Sequence, residues 1–393
     1  MKLFIRFARK GFFLAWLAGW MGGWVIACQL PALAAGAADL SAAQPNPYHY
    51  YVAPHGSDAN AGTAAQPFRT ILRASRNALP GTTIHVAPGE YEGGFKTTMS
   101  GTAAQRISYV STNKWGARLV PPMLSDSATA WDNRGNYVDI AGFEIDGSAP
   151  QRGVKWTQGI YVGGSFNVVR DNRIHHLGRN APCAKSGGAG IGVDSYYKGI
   201  RNDVLSNTVS DIGPPGCRSM QGIYISTSGS VQNNVVYAVG GAAIQMWHDA
   251  NNVVVSHNTV SGSTTGILVG GGDYYHTRGP NDFTAVHNNI VFDNRYGISE
   301  QGDTGPHNSY RNNLVYQNAT ADWQLRNGLS HSGTVALAPQ FVRYGKRGNP
   351  DFRLLPSSPA IARGTAQFAT RTDIAGRARP SGKPADIGAY QYR

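Results

Sequence analysis

Residues 222–260 read GIYISTSGSVQNNVVYAVGGAAIQMWHDANNVVVSHNTV. Two alternating runs, Gly222-Ile-Tyr-Ile and Ala243-Ile-Gln-Met, are each followed by a turn, an apolar stretch closing on an asparagine, and a second short apolar stretch. Alternation of this kind marks short strands with one face inward. The closing asparagine recurs as Asn172, Asn207, Asn234, Asn258, Asn289 and Asn313, with separations of 35, 27, 24, 31 and 24. These spacings describe a basic coil of about 24 residues with insertions in three places, and a period in this range denotes a solenoid. No segment leaves room for a crossover helix, so the stacked strands pair in parallel about 4.8 Å apart. The six asparagines are then expected to hydrogen-bond up the stack as a structural ladder.

Composition agrees with an all-β, turn-rich chain. Of 393 residues 49 are Gly and only 15% are charged, which excludes a coiled coil and charged disorder, while 41% hydrophobic content suffices for a core. Lys2, Arg6, Arg9 and Lys10 precede an apolar run from Gly11 to Ile26, and Ala32-Leu-Ala34 closes it. Residues 1–34 therefore read as a signal peptide, and the mature protein as secreted or periplasmic. Lipidation of Cys28 is the alternative, giving an outer-surface lipoprotein. Removing four of 35 Lys+Arg leaves 31 − 23 = +8. Residues 341–393 hold ten Lys/Arg against three acids, +7, and residues 35–340 hold 21 against 20, +1. The basic tail is thus a candidate for contact with an anionic cell envelope or matrix. No nucleic-acid module accompanies it, and a monomer is expected.

The N-terminal end carries Tyr50-Tyr-Val-Ala-Pro54, Gly56-Ser-Asp58, Gln66-Pro-Phe68 and Pro80-Gly-Thr-Thr-Ile-His-Val-Ala-Pro-Gly89. With the coils, these motifs resemble right-handed parallel β-helix proteins of the pectate-lyase superfamily, in particular family 9 polysaccharide lyases and chondroitinase-B-like proteins. The resemblance implies a parallel β-helix over 35–340, and a helix over Arg69–Leu79, with Phe68, Ile71, Leu72 and Leu79 apolar, would cap its open end. The tail, residues 341–393, is expected to pack as an end coil.

Aligning the coils states which side chains are neighbours. Cys183 and Cys217 fall in equivalent loops of consecutive coils, within the spacing a disulfide needs. Lys155 and Arg218 occupy matching positions before the Gly-Ile strands, with Lys185 near the equivalent place. This cation row could read the carboxylates of an acidic sugar chain or, at Lys155 or Lys185, supply a proton-abstracting base; a solvated surface row is the bland alternative. Alternation puts Ile160, Val162, Ile191, Val193, Ile223 and Ile225 inside and Tyr161, Asp194, Tyr224, Ser226, Gln245, Trp247 and His248 outside. Tyr161, Tyr224 and Trp247 suit sugar stacking. His176 and Asp211 each follow their ladder Asn by four residues and are expected to stack as an acid/base pair; His175, His85 and His257 read as surface or turn residues.

These residues lead to an expected polysaccharide lyase that cleaves a uronate-containing polymer by β-elimination. An inverting glycoside hydrolase using Asp194 and Asp211, or a non-catalytic saccharide-binding surface, are the alternatives. Asp194 could hold calcium, but the resemblance implies a cluster of calcium-binding aspartates and this chain has no adjacent Asp pair.

Overall fold

Glycine begins most of the alternating strands for a steric reason. At Gly159, Gly190, Gly222 and Gly266 an added Cβ would overlap a branched side chain on the far wall of the coil, Ile174, Val209, Val236 and Val291 respectively. The coil can close only where that atom is missing. A computed structural model describes residues 48–183 and 187–392 and shows this closure repeated along the chain. The signal segment, Cys28 and Lys185 lie outside the described residues.

Each coil passes through three parallel sheets. The first contains the Gly-Ile strands, stacked in the order Phe95–Thr97, Thr129–Asn133, Gln158–Val162, Gly188–Val193, Met220–Ile225, Ala242–Met246, Thr265–Gly271, Tyr296–Gly302 and Ala321–Gln324. The second has eleven strands, from Tyr48–Val52 to His331–Ser332, and the third nine, from Gly89–Glu92 to Leu314–Tyr316. In the first sheet Trp131, Ile160, Ile191, Ile223, Ile244, Ile267 and Ile298 stand in one inward row, all fully buried. Each such side chain contributes about 1.5–3 kcal/mol by leaving water. Ser226, expected outside, is buried, because its hydroxyl donates to Asp194 Oδ1 at 3.0 Å.

The ladder runs between the second and third sheets. Backbone N–H groups of Asn172, Asn207, Asn234, Asn258 and Asn289 each donate to Oδ1 of the next ladder asparagine at 2.9–3.0 Å. The residue before each ladder position, Asp171, Ser206, Asn233, His257, Asn288 and Asn312, is left-handed, with φ from 51° to 59°. That turn aims the asparagine inward. Shorter ladders, Asn167 to Asn202 and Asn294 to Asn318, serve other corners.

The capping helix is shorter than expected, Ile71–Arg76, with Thr70 as its N-cap and Asp58 bonded to Thr70. Ile71, Ala74 and Ser75 are its buried residues, whereas Leu79, beyond its end, is exposed. Cys183 and Cys217 form a disulfide with Cα atoms 5.4 Å apart. The tail does not form an end coil. It packs along the flank, where Phe341, Phe352, Leu354, Ile374 and Ile387 cover Val235, Tyr237, Ile290 and Phe292 of the third sheet. Arg379, 7% exposed, donates to Asn233 Oδ1 and to the Gly388 carbonyl, both at 2.9 Å, and fixes the tail to the asparagine corner.

A candidate saccharide groove on the first sheet

The outward row of the first sheet reads Lys96, Asp132, Tyr161, Gly192, Tyr224, Gln245 and Leu268 in register. Loops leaving these strands place further aromatic side chains beside the row, and the face they frame is the candidate groove. Tyr161 donates its hydroxyl to Asp194 Oδ2 at 3.0 Å, and Asp194 Oδ1 accepts from Tyr196 N and Ser226 Oγ, each at 3.0 Å. Burial, and secondarily the Asp194 charge, holds the Tyr161 hydroxyl above the ordinary tyrosine range, so it keeps its proton. Arg134 lies over two rings, 4.4 Å from the Tyr161 centroid and 3.8 Å from that of Tyr197, while its guanidinium is held by Asp132. Lys96 stands 3.7 Å from the same carboxylate and is largely exposed.

The other end of the groove depends on an insertion. Asp249, buried in the corner, accepts from the backbone N–H groups of Tyr275, His276 and Thr277 and from the hydroxyls of Thr277 and Ser195. Its burial opposes ionisation, but these donors outweigh that and keep it below the usual carboxylate range. The loop so fixed brings Tyr275 onto His248, with ring centroids 4.1 Å apart and the hydroxyl 2.9 Å from Nε2. Nδ1 of His248 is 2.7 Å from the Asp273 carbonyl, which can only accept, so Nδ1 carries a proton. In the neutral ring Nε2 is therefore an acceptor directed at the Tyr275 hydroxyl. Trp247 donates Nε1 to Asp273 Oδ2 at 3.3 Å, and Tyr224 meets His248 edge-on at 6.1 Å. Tyr196 bridges the two ends, edge-on to Tyr197 and to Tyr275.

The structure thus brings together Tyr161, Asp194, Tyr224, Trp247 and His248 and places Lys155, Arg218, His176 and Asp211 elsewhere, while Lys185 is outside the described residues. Lys155 and Arg218 are exposed at the opposite edge, where the strands begin, and Lys155 Nζ is bonded to the Gln151 carbonyl. The expected His176–Asp211 pair does not form. Equivalent backbone positions stack, but Asp211 pairs with Arg179 at 3.1 Å and His176 turns to Asp146 at 3.3 Å. Asp211 belongs to the edge entering the first sheet and Asp194 to the edge leaving it. A strand's length, about 17–20 Å, separates these edges and removes the two-carboxylate hydrolase site. His175 is buried between Glu144 and Asp146, and His257 is fully buried, so neither is a surface residue.

Arg134, Tyr196, Tyr197, Asp273 and Tyr275 were not expected. The strand Thr129–Asn133 lacks the Gly-Ile signature, which hid Asp132 and Arg134. Tyr274-Tyr275-His276, a polar-aromatic cluster inside an insertion, was a readable signal for the loop. Calcium does not fit this donor set. Asp132 serves Arg134, Asp194 serves Tyr161 and Ser226, and Asp273 serves Trp247, so each carboxylate already has donors and no oxygen cage is formed.

Residues 130–334, just over half of the chain, match the family described as "Right handed beta helix region". The chain belongs to this family. Residues 50–208 also match "Pel9A-like, right handed beta helix region", which places this β-helix in the pectate-lyase superfamily. It is 25% identical to Pectate lyase L of Dickeya chrysanthemi over 403 aligned positions, covering 87% of this chain and 90% of that one. A shorter match, 27% over 135 residues, covers 33% of this chain and 29% of the uncharacterized protein YwoF of Bacillus subtilis (strain 168). The crystal structure of pectate lyase Pel9A has the same fold, with a TM-score of 0.57 at 18% identity over 88% of this chain and 96% of that one. The β-helix is thus polysaccharide-lyase-like.

Proposed function

We propose that this β-helix is an exported lyase that cleaves a uronate-containing polysaccharide by β-elimination in the groove of the first sheet. The observation that carries the reading is the His248–Tyr275 pair, in which Nδ1 is held by the Asp273 carbonyl and Nε2 faces the Tyr275 hydroxyl at 2.9 Å. Nε2 takes the C5 proton of a uronate residue, and the C5–H electron pair becomes the C4–C5 double bond. The C4–O bond breaks, and the Tyr275 hydroxyl protonates the departing oxygen. Transfer from the imidazolium back to the Tyr275 oxygen along their hydrogen bond restores both groups, so protons balance over the cycle.

The remaining residues bind and orient. Tyr161, Tyr196, Tyr197 and Tyr224 offer faces on which sugar rings stack. Arg134 lies four coils, about 19 Å, and Lys96 five coils, about 24 Å, from His248, and they would bind a carboxylate further along the chain. The acidic preference rests on these two cations. The full-length match to a pectate lyase supports the reaction class.

Incubation with a panel of uronate polymers, with and without chelator, tests the reading through the ultraviolet absorbance of unsaturated products. Absorbance that survives chelation is expected. New reducing ends without absorbance would instead indicate hydrolysis, and binding without new ends a lectin-like surface.

A further inference from the structure

Away from the groove, the outer face of the third sheet holds a second polar constellation. The strands Glu144–Asp146 and Arg173–Leu177 pair so that Arg173 faces Glu144 and His175 faces Asp146. His175 Nε2 is 2.9 Å from Glu144 Oε1, and an ionised carboxylate only accepts, so Nε2 carries a proton. In the neutral ring Nδ1 is then a bare acceptor. It lies 2.6 Å from Nδ1 of His176 and 3.4 Å from Asp146 Oδ1, and His176 Nδ1 is 3.3 Å from that same oxygen. The left-handed backbone of His176, φ 58°, turns its ring back toward its neighbour. Asp146 is oriented in turn by Arg118 at 2.8 Å and by Ser148 N at 2.9 Å.

Three donor atoms therefore converge on one point from two adjacent coils. A tetrahedral ion with arms of about 2.0–2.1 Å has ligand–ligand edges of about 3.3–3.4 Å. Two of the three edges already have that length, and rotation of the His176 ring, 40% exposed, opens the third. We propose that Asp146, His175 and His176 bind one divalent transition-metal ion of the zinc class, with a fourth position open to solvent. Imidazole ligands favour such an ion over calcium or magnesium. Glu144 acts behind His175, holding its tautomer as carboxylates do behind metal-bound histidines. Local charge is compatible, since Glu90, Glu144 and Asp146 outnumber Arg118 and Arg173. The ion would brace the strands that lead into residues 147–157 and 178–183, the second segment carrying Cys183 of the disulfide.

The test uses the untagged mature chain, stripped with chelator and titrated with Zn²⁺ by calorimetry, with Co²⁺ as a visible-absorbance probe of tetrahedral nitrogen ligation. One equivalent of Zn²⁺ and a rise in melting temperature are expected. His176→Ala, at a half-exposed position, should lose uptake, and Glu144→Gln should weaken it about 10–100-fold. His85→Asn, which removes one member of the exposed His49–His85 pair, should leave it unchanged. Absence of uptake, uptake unchanged in His176→Ala or Glu144→Gln, or uptake lost in His85→Asn overturns the proposal.

Discussion

Replacing Asn234 by alanine removes the side chain that links three coils. Its Oδ1 accepts from the Asn207 backbone N–H at 2.9 Å and from Asn207 Nδ2 at 3.0 Å. Its Nδ2 donates to the carbonyls of Val204 and Gln232 and to Asn258 Oδ1 at 2.9–3.0 Å. Some partners keep alternatives. Asn207 Nδ2 still reaches the Val169 and Leu205 carbonyls, and Asn258 Oδ1 still receives the backbone N–H of residue 234. The backbone N–H of Asn207 is fully buried and loses its acceptor, which costs about 1–3 kcal/mol, and the lost bond to Val204 adds about 1 kcal/mol. The sum, about 2–4 kcal/mol, corresponds to a melting temperature lowered by about 3–6 °C for a folded unit of this length. Calorimetric melts at one scan rate measure it, with Asn180→Ala at an exposed loop position as the control, expected within about 1 °C of wild type. An Asn234→Ala shift no larger than that of the control would refute the reasoning, since the ladder would then carry no net stability.

Other perturbations give distinct outcomes. Gly222→Ala forces a Cβ onto Val236 Cγ1 and the Ala243 carbonyl, and should cost about 1–3 kcal/mol by overpacking, seen as a lower urea midpoint with unchanged slope. His287 is held at about 4, by burial first and by the Arg311 charge second, and the fully buried His257 is also held well below its ordinary value. Both are neutral when folded, whereas the unfolded chain takes up protons below about 6.5; stability should therefore fall by about 1 kcal/mol per pH unit from 6.5 toward 4 for His287 alone. His287→Asn should flatten that slope in melts across the range, and an unchanged slope would contradict the assignment. Reducing the disulfide opens a 34-residue loop and should cost about 3–4 kcal/mol in the chain-entropy model. Turnover measured below the melting transition should change less than twofold, because the bridged loops stand at the edge away from His248. If the basic tail holds the protein to an anionic surface, Lys346→Glu with Arg347→Glu should lower the retained fraction in a fractionation assay, and an unchanged fraction would contradict that role; these exposed positions leave Phe341 and Phe352 on the apolar flank they cover.

Repetition made the fold legible. The ladder asparagines, the inward isoleucines and the disulfide all follow from equivalence between coils, which a period exposes directly. The site was legible only where it repeated. Tyr161, Asp194, Tyr224, Trp247 and His248 sit in or just after strands, so alternation found them. Asp249, Asp273 and Tyr275 work through the path of one insertion, and no periodic argument places a non-repeating loop. The expected His176–Asp211 contact failed for a related reason. Stacking put their backbones one coil apart, but a left-handed residue at each position let Asp146 and Arg179 decide where the side chains point. Charge counts describe the exposed arginines of the tail, and its docking along the flank rests on the buried Phe341 and Phe352, which no count reveals.

The most direct measurement is the absorbance of unsaturated products formed from uronate polymers by the wild-type chain and by His248→Ala. The account predicts steady formation by the wild type and a kcat lowered about 10²–10⁴-fold in the variant, with polymer binding retained through the tyrosine faces and Lys96. Equal turnover in the two proteins, or reducing ends released without the absorbance, would contradict it.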